Sequence, residues 1–261
     1  MMNQQKLELA RSLARSKYDS GWRPKHILGT GNMKLLKGMT RGVLTAGLSL
    51  APADSSGVMN VCPKASRECK AFCLFGAGRG AEHFHGAEGV NPTWVARILR
   101  TIWWKEQPED FKQTLVEDIA FYQRRAARKG LDLAVRLNVY SDIAWEVKFP
   151  EVFKRFPEVQ FYDYTAIAKR FDKPLPKNYD LTFSLKEDNH RVAATTLKKG
   201  QNVSAVIRYS EFPLQFMDAP TVDGDEHDLR YLDPRGGHVV VLRPKGPLRT
   251  SRSPFIQLVQ A

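Results

Sequence analysis

Apolar residues recur along this chain in two rhythms, and each predicts a different kind of element. Between Gln5 and Lys17, Leu7, Leu9, Leu13 and Ala14 form a stripe set against Lys6, Arg11, Arg15 and Lys17, the pattern of a short basic amphipathic helix. Two later stretches repeat the helical period. The first opens at Pro92, which suits an initial helical turn, and runs to Lys105 with Trp94, Ile98, Leu99, Ile102 and Trp103 apolar. The second starts around Pro108, carries Phe111, Leu115, Ile119 and Tyr122, and stops at Gly130. Its last turns hold Arg124, Arg125, Arg128 and Lys129, cations that a helix C-terminus accommodates.

The other rhythm consists of short apolar runs at residues 42–50, 133–140, 159–164, 181–185, 203–209 and 238–242, read as strands. Connectors long enough for helices or turns separate most of them, so a mostly parallel sheet is expected. About six βα units fall short of the eight that close a barrel. The expected fold is therefore α/β, an open partial parallel β/α barrel with an N-terminal helix; a doubly wound sheet is the alternative. Residues 1–40 read as a helix and loop extension, and 41–261 as one domain that contains every cysteine. Gly29-Thr-Gly-Asn-Met33, in the loop-rich stretch ahead of the first strand, lacks the spacing and Lys-Ser/Thr ending of a phosphate loop.

Composition narrows the class. With 261 residues and 43% hydrophobic content the chain can bury a substantial core. No run approaches the roughly 18 consecutive apolar residues of a membrane span, so no membrane role is expected and a cytoplasmic location is. Forty Lys and Arg against twenty-eight Asp and Glu give a net charge of +12. That balance favours nucleic acid or a nucleotide-like ligand as partner.

All three cysteines fall within twelve positions, at Cys62, Cys69 and Cys73. If the second and third share a helical turn, their sulfurs lie on one face, and the first reaches that face from a loop. Thiolates suit soft metals, and an iron–sulfur cluster takes four cysteines as a rule, so a trio would leave one iron without a protein ligand. Lys64, Arg67, Lys70 and Arg79 would offset the thiolate charge. Zinc is the alternative, with His83 or His85 as fourth ligand. The odd count and the lack of an apolar leader argue against a structural disulfide.

In parallel α/β folds chemistry gathers beyond the carboxyl ends of the strands, which turns the strand assignments into a site map. The cysteines follow the first strand. Asn138, Ser141 and Asp142 end the second, Glu187 follows the fourth, Arg208 ends the fifth, and Arg243 and Lys245 follow the sixth. Asp142, Glu187 and Arg208 are the catalytic candidates. Asn138, Ser141 and Asp142 could orient a cofactor, and Arg208, Arg243 and Lys245 an anionic group. The acidic run from Asp223 to Asp228, with Asp233, could bind a hard cation, although salt bridges to Arg230, Arg235 and Arg243 explain it more simply.

Several of these segments together resemble the phage family called gene product 88: Leu48-Ser-Leu-Ala-Pro52, Asn60-Val-Cys-Pro-Lys-Ala-Ser66 through Cys73, Arg136-Leu-Asn138 with Ser141-Asp-Ile143, Phe161-Tyr-Asp-Tyr-Thr165 and Asp180-Leu-Thr-Phe-Ser184. If phage-encoded, the protein would act in the host cytoplasm. A looser similarity, a strand, a three-cysteine loop and further βα units, is to radical S-adenosylmethionine enzymes. It implies that Cys62, Cys69 and Cys73 hold a [4Fe–4S] cluster whose open iron binds S-adenosylmethionine, and that a nucleotide or nucleic-acid substrate loses a hydrogen to a carbon radical. The cysteine spacing here is wider than that superfamily's, and no clear Gly-Gly-Glu follows the second strand. The alternative role is a non-enzymatic iron–sulfur or zinc protein that binds nucleic acid or a host factor.

Overall fold

A computed structural model describes residues 4–31, 37–73, 80–81, 86 and 89–259. Helix α1 (Gln4–Asp19) buries Leu7, Ala10, Ala14 and Tyr18, and packs along the long helix α3 (Pro92–Glu106). The short helix α2 (Arg67–Ala71) carries Cys69, and α4 (Pro108–Ala127) follows α3 after a single linking residue, Gln107. Asn91 caps α3 by accepting the Thr93 amide through its side chain at 2.8 Å.

The six strands expected from the apolar runs are all present and neighbour one another in chain order. They are β2 (Val43–Leu48), β3 (Asp132–Arg136), β4 (Gln160–Thr165), β5 (Tyr179–Ser184), β6 (Val203–Arg208) and β9 (Val239–Leu242), each parallel to the next. This order does not reverse midway as a doubly wound sheet's does. Flanking them are β1 (Leu28–Gly29), antiparallel to β2, and β8 (Ala219–Asp223), parallel to β9 and paired on its far side with β7 (Gln215–Phe216). A last strand, β10 (Gln257–Leu258), runs parallel to the end of β6. The result is a mixed α/β protein whose described residues form a ten-stranded, mostly parallel sheet that does not close.

Strand residues alternate between two faces. Leu44, Ala46 and Leu48 of β2, Leu133 and Val135 of β3 and Phe161 of β4 join the main apolar core with α1, α3 and α4. Phe183, Val203, Ala205, Ile207, Val239 and Val241 form a smaller core with α5 (His190–Lys198). The opposite face of β2, β3 and β4 meets a separate small cluster, in which Val43, Ala134 and Tyr162 pack on Leu229. The segment carrying Leu229 lies so close to that face that a Cβ on Gly224 would stand 2.6 Å from the Val240 side chain and 2.8 Å from that of Leu242. No larger residue fits there.

Candidate functional site

Cys62 lies in the loop that leaves β2, and its sulfur is held by backbone. The Ala53 amide donates to Sγ at 3.3 Å, and the thiol lies 3.4 Å from the Tyr140 carbonyl. The stretch after β3 braces the same loop, since the Asp142 amide donates to the Val61 carbonyl at 2.8 Å. Cys69 rides on α2, whose N-cap is Ser66. Ser66 Oγ accepts the Cys69 amide at 3.2 Å and donates to Glu187 at 2.9 Å, while the Glu68 amide donates to the other Glu187 oxygen at 3.1 Å. Cys62 and Cys73 pack partly buried against the main core, and none of the three cysteines is in a disulfide.

All three cysteines line one cavity of about 270 Å³ at the carboxyl ends of β3, β4, β5 and β9, against the first half of β6. Asn138, Ser141 and Asp142 line it beyond β3, and Arg243 and Lys245 beyond β9. Glu187 and Arg208 are not among its lining side chains. Glu187 caps α2, as above. Arg208 donates to the carbonyls of Leu248, Arg249 and Ser251 at 2.8 to 3.1 Å, and so ties down the C-terminal segment, which lends Leu248 and Phe255 to the cavity wall. Asn138 has its side chain committed within the turn: it donates to Ile143 and Asp163 and accepts from Ser141, Ile143 and Trp145. Ser141 spends its hydroxyl on that contact.

Lys64, Arg67 and Lys70, the cations adjacent in sequence, are exposed. Two cations distant in sequence act on the thiols instead. Lys186, 6% exposed, donates from Nζ to the Lys64 carbonyl at 2.6 Å and favours the thiolate of Cys69. Arg97 is buried on α3 over the ring of Tyr140, with Cys73 near enough to favour its charge. Burial nevertheless pushes the Cys62 thiol up to about 12, against the Ala53 amide, and raises Cys69 as well. Metal binding would have to displace these protons. Burial also raises Asp142, opposed by the Ala166 amide at 2.8 Å, the Thr165 hydroxyl at 2.7 Å and Arg170 at 3.4 Å. Among the described residues no three His, Cys, Asp or Glu side chains gather closely enough to hold one metal ion. Arg79, His83 and His85 lie outside the described residues.

Two lining cations are not among the site candidates read from the sequence, Lys186 and Arg136. Lys186 opens a charged run after β5 that looks solvated. Arg136 interrupts the apolar alternation of β3, and that irregularity is the signal that could have found it. It pairs with Asp228 at 2.8 Å and lies over the ring of Tyr164, whose hydroxyl donates to Asp228 at 3.3 Å. Most of the acidic segment is claimed by cations. Asp225 pairs with Lys245 at 2.5 Å, Asp233 with Arg230 at 3.2 Å and Glu226 with Arg41 at 3.3 Å. Of the partners expected from sequence, Arg235 goes instead to Asp180, and Arg243 contributes its backbone amide to Asp225.

No helix among the described residues is long and apolar enough to cross a membrane. No curated protein and no solved structure matches this chain. A protein-family comparison does, over residues 26–257, and the family it describes is gene product 88. That match takes in the cysteine loop, all six parallel strands and the segment that returns Asp228 to Arg136, so the chain belongs to the gene product 88 family.

Proposed function

We propose that this protein holds a [4Fe–4S] cluster on Cys62, Cys69 and Cys73, and that the cavity in front of the thiols receives a small ligand at the iron no cysteine reaches. The observation that carries the reading is that three soft donors from a loop and a short helix line one cavity at the strand ends. A single zinc ion draws its ligands to within about 2.3 Å of one point, whereas a cluster takes one thiolate at each of several irons. The cysteines lack the two-residue spacing common at zinc sites and share one cavity, which suits the second arrangement. Lys186 and Arg97 supply buried positive charge beside the thiols, which favours an anionic centre there.

Such a cluster, when bound, supplies one-electron chemistry and a coordination site for a ligand. This chain's part is to position and to exclude water: Phe72, Val206, Leu242 and Phe255 give the cavity an apolar lining, and Asp142 is the carboxylate that Arg170 and Thr165 hold at its edge. The one-direction strand order supports a curled, barrel-like sheet around that space. On this reading the protein is an enzyme similar to radical S-adenosylmethionine enzymes, acting on a nucleotide or nucleic-acid substrate; the non-enzymatic cluster or zinc protein is the outcome if no cofactor is cleaved.

The test is anaerobic purification followed by iron, zinc and acid-labile sulfide assays on the wild type and on Cys62→Ser, Cys69→Ser and Cys73→Ser. About four irons and four sulfides per chain are expected, lost in each variant. Stoichiometric zinc without sulfide would replace the cluster by the zinc reading. Iron that survives all three substitutions would remove the thiols from the account. Adding S-adenosylmethionine to the reduced protein then decides the enzyme reading, by cofactor cleavage and a change in the cluster's paramagnetic signal.

A further inference from the structure

The wall of the cavity beyond β5, β6 and β9 differs in character from the thiol wall. It carries Lys186, Ser184, Ser204, Arg243 and Lys245, and Arg136, the last residue of β3, also lines the cavity. Lys186 has three N–H donors and is almost wholly buried, yet among the described residues only the Lys64 carbonyl accepts from it. Arg136 is equally buried, and its Nε has no partner among the described residues. Arg243 stands exposed at the mouth with its guanidinium 4.4 Å from the centre of the Tyr209 ring, and its side chain makes no hydrogen bond to any described residue. Buried donors without acceptors are costly, and a ligand that brings acceptors would relieve that cost.

The lining carboxylates make no hydrogen bond to Lys186 or Arg243 among the described residues, although Lys186 lies near enough to Asp142 to favour its charge. Asp142 is taken by Thr165, Ala166 and Arg170, and Glu68 accepts from Ser253. β5 and β9 stand two strand spacings apart, with β6 between them, roughly 10 Å. Two long cationic side chains rooted at that separation can converge on one anion above β6, and arginine adds a fork that matches an oxyanion.

We propose that Lys186 and Arg243 form an oxyanion subsite, which takes the phosphate or carboxylate of a small ligand whose apolar or aromatic body rests on Leu185, Val206, Leu248 and Phe255. This deepens the preceding reading by using the same cavity, but it rests on none of the thiols.

The experiment is calorimetric titration of the full chain with adenosine 5′-monophosphate, adenosine, inorganic phosphate and hexanoate. The wild type is compared with Lys186→Met, Arg243→Met and, as a control for the general positive surface, Lys105→Met. The monophosphate is expected to bind at least about tenfold more tightly than adenosine, with either site variant losing about that factor and the control losing none. Competition by inorganic phosphate assigns the subsite to phosphates, and hexanoate binding with the same variant dependence assigns it to carboxylates; either supports the proposal. Equal affinity for the monophosphate and adenosine, together with no hexanoate binding, would overturn it, as would equal losses in the control. Arg243→Met decides the matter if Lys186→Met fails to fold, because Arg243 is exposed. Metal content measured on the same samples separates this question from the cluster: anion binding that persists in Cys62→Ser leaves the subsite standing whatever becomes of the metal.

Discussion

The helix-side face of the sheet presents Leu44, Leu48, Val135 and Phe161 to a continuous apolar core, whereas the opposite face presents Arg136, Tyr162 and Tyr164 to a segment that returns Asp228 and Arg230. The first face is stabilised by area removed from water, and any well-shaped hydrocarbon could serve there. The second depends on partners. Burial works against the charge on Arg136, and Asp228 with the neighbouring tyrosines restores it, so each charge there is tolerable only while its opposite is in place. Helices consolidate one side of a parallel sheet while the strand ends and the inward side are left for charge, which is where the cavity opens.

Truncating the apolar face should give the largest loss that no second substitution recovers. Phe161→Ala removes a fully buried ring packed 4.7 Å from that of Phe153, and is expected to cost about 3–5 kcal/mol in urea unfolding. The charged face should respond differently. Arg136→Met alone leaves Asp228 buried without its cation and should cost a similar 3–5 kcal/mol, but the double change with Asp228→Leu should recover most of that loss. No second substitution should rescue Phe161→Ala in that way. A double variant as unstable as Arg136→Met would mean that the two faces do not differ as argued.

The smallest effect concerns the place where polar chemistry crosses to the helix side. Asp163 is fully buried, and burial pushes its carboxyl up to about 7, opposed by Arg136, the Asn138 amide and the Tyr179 hydroxyl. A folded value raised above the unfolded one means that the folded state binds the extra proton. This contribution is therefore complete below about pH 4 and is lost as the pH rises through about 7. Asp233, raised to about 6 by burial, acts in the same direction. The urea midpoint of the wild type should fall relative to that of Asp163→Asn between pH 5 and 8, and a constant difference would show that Asp163 stays ionised.

The sequence made the helix-side face legible because apolar periodicity records burial directly. Trp94, Ile98 and Ile102 mark α3, and the runs at 133–140 and 203–209 mark β3 and β6. The short pairings escaped. β1 and β10 are two residues long, and β7 and β8 carry little apolar signal. At the cavity, strand-end reasoning reached Asn138, Ser141, Asp142, Arg243 and Lys245 because position alone puts them there. It could not separate residues that face the cavity from those that serve structure: Glu187 turns to a helix end and Arg208 to a set of carbonyls. Nor could it see that Arg136 would meet Asp228, since they stand 92 positions apart in the chain. Lys186 sat in a run of charges whose neighbours are soluble, and only the fold shows one of them turned inward.

Adjacent residues beyond β5 grip the cysteine loop at two points, Lys186 through the carbonyl of Lys64 and Glu187 through Ser66 and the amide of Glu68. The loop that carries the cysteines is thus braced by a part of the chain translated more than a hundred residues later. A nascent polypeptide emerging up to the third parallel strand would hold this loop at Val61 and Cys62 alone, and the helix that carries Cys69 would gain its two remaining braces only after the next strand had docked.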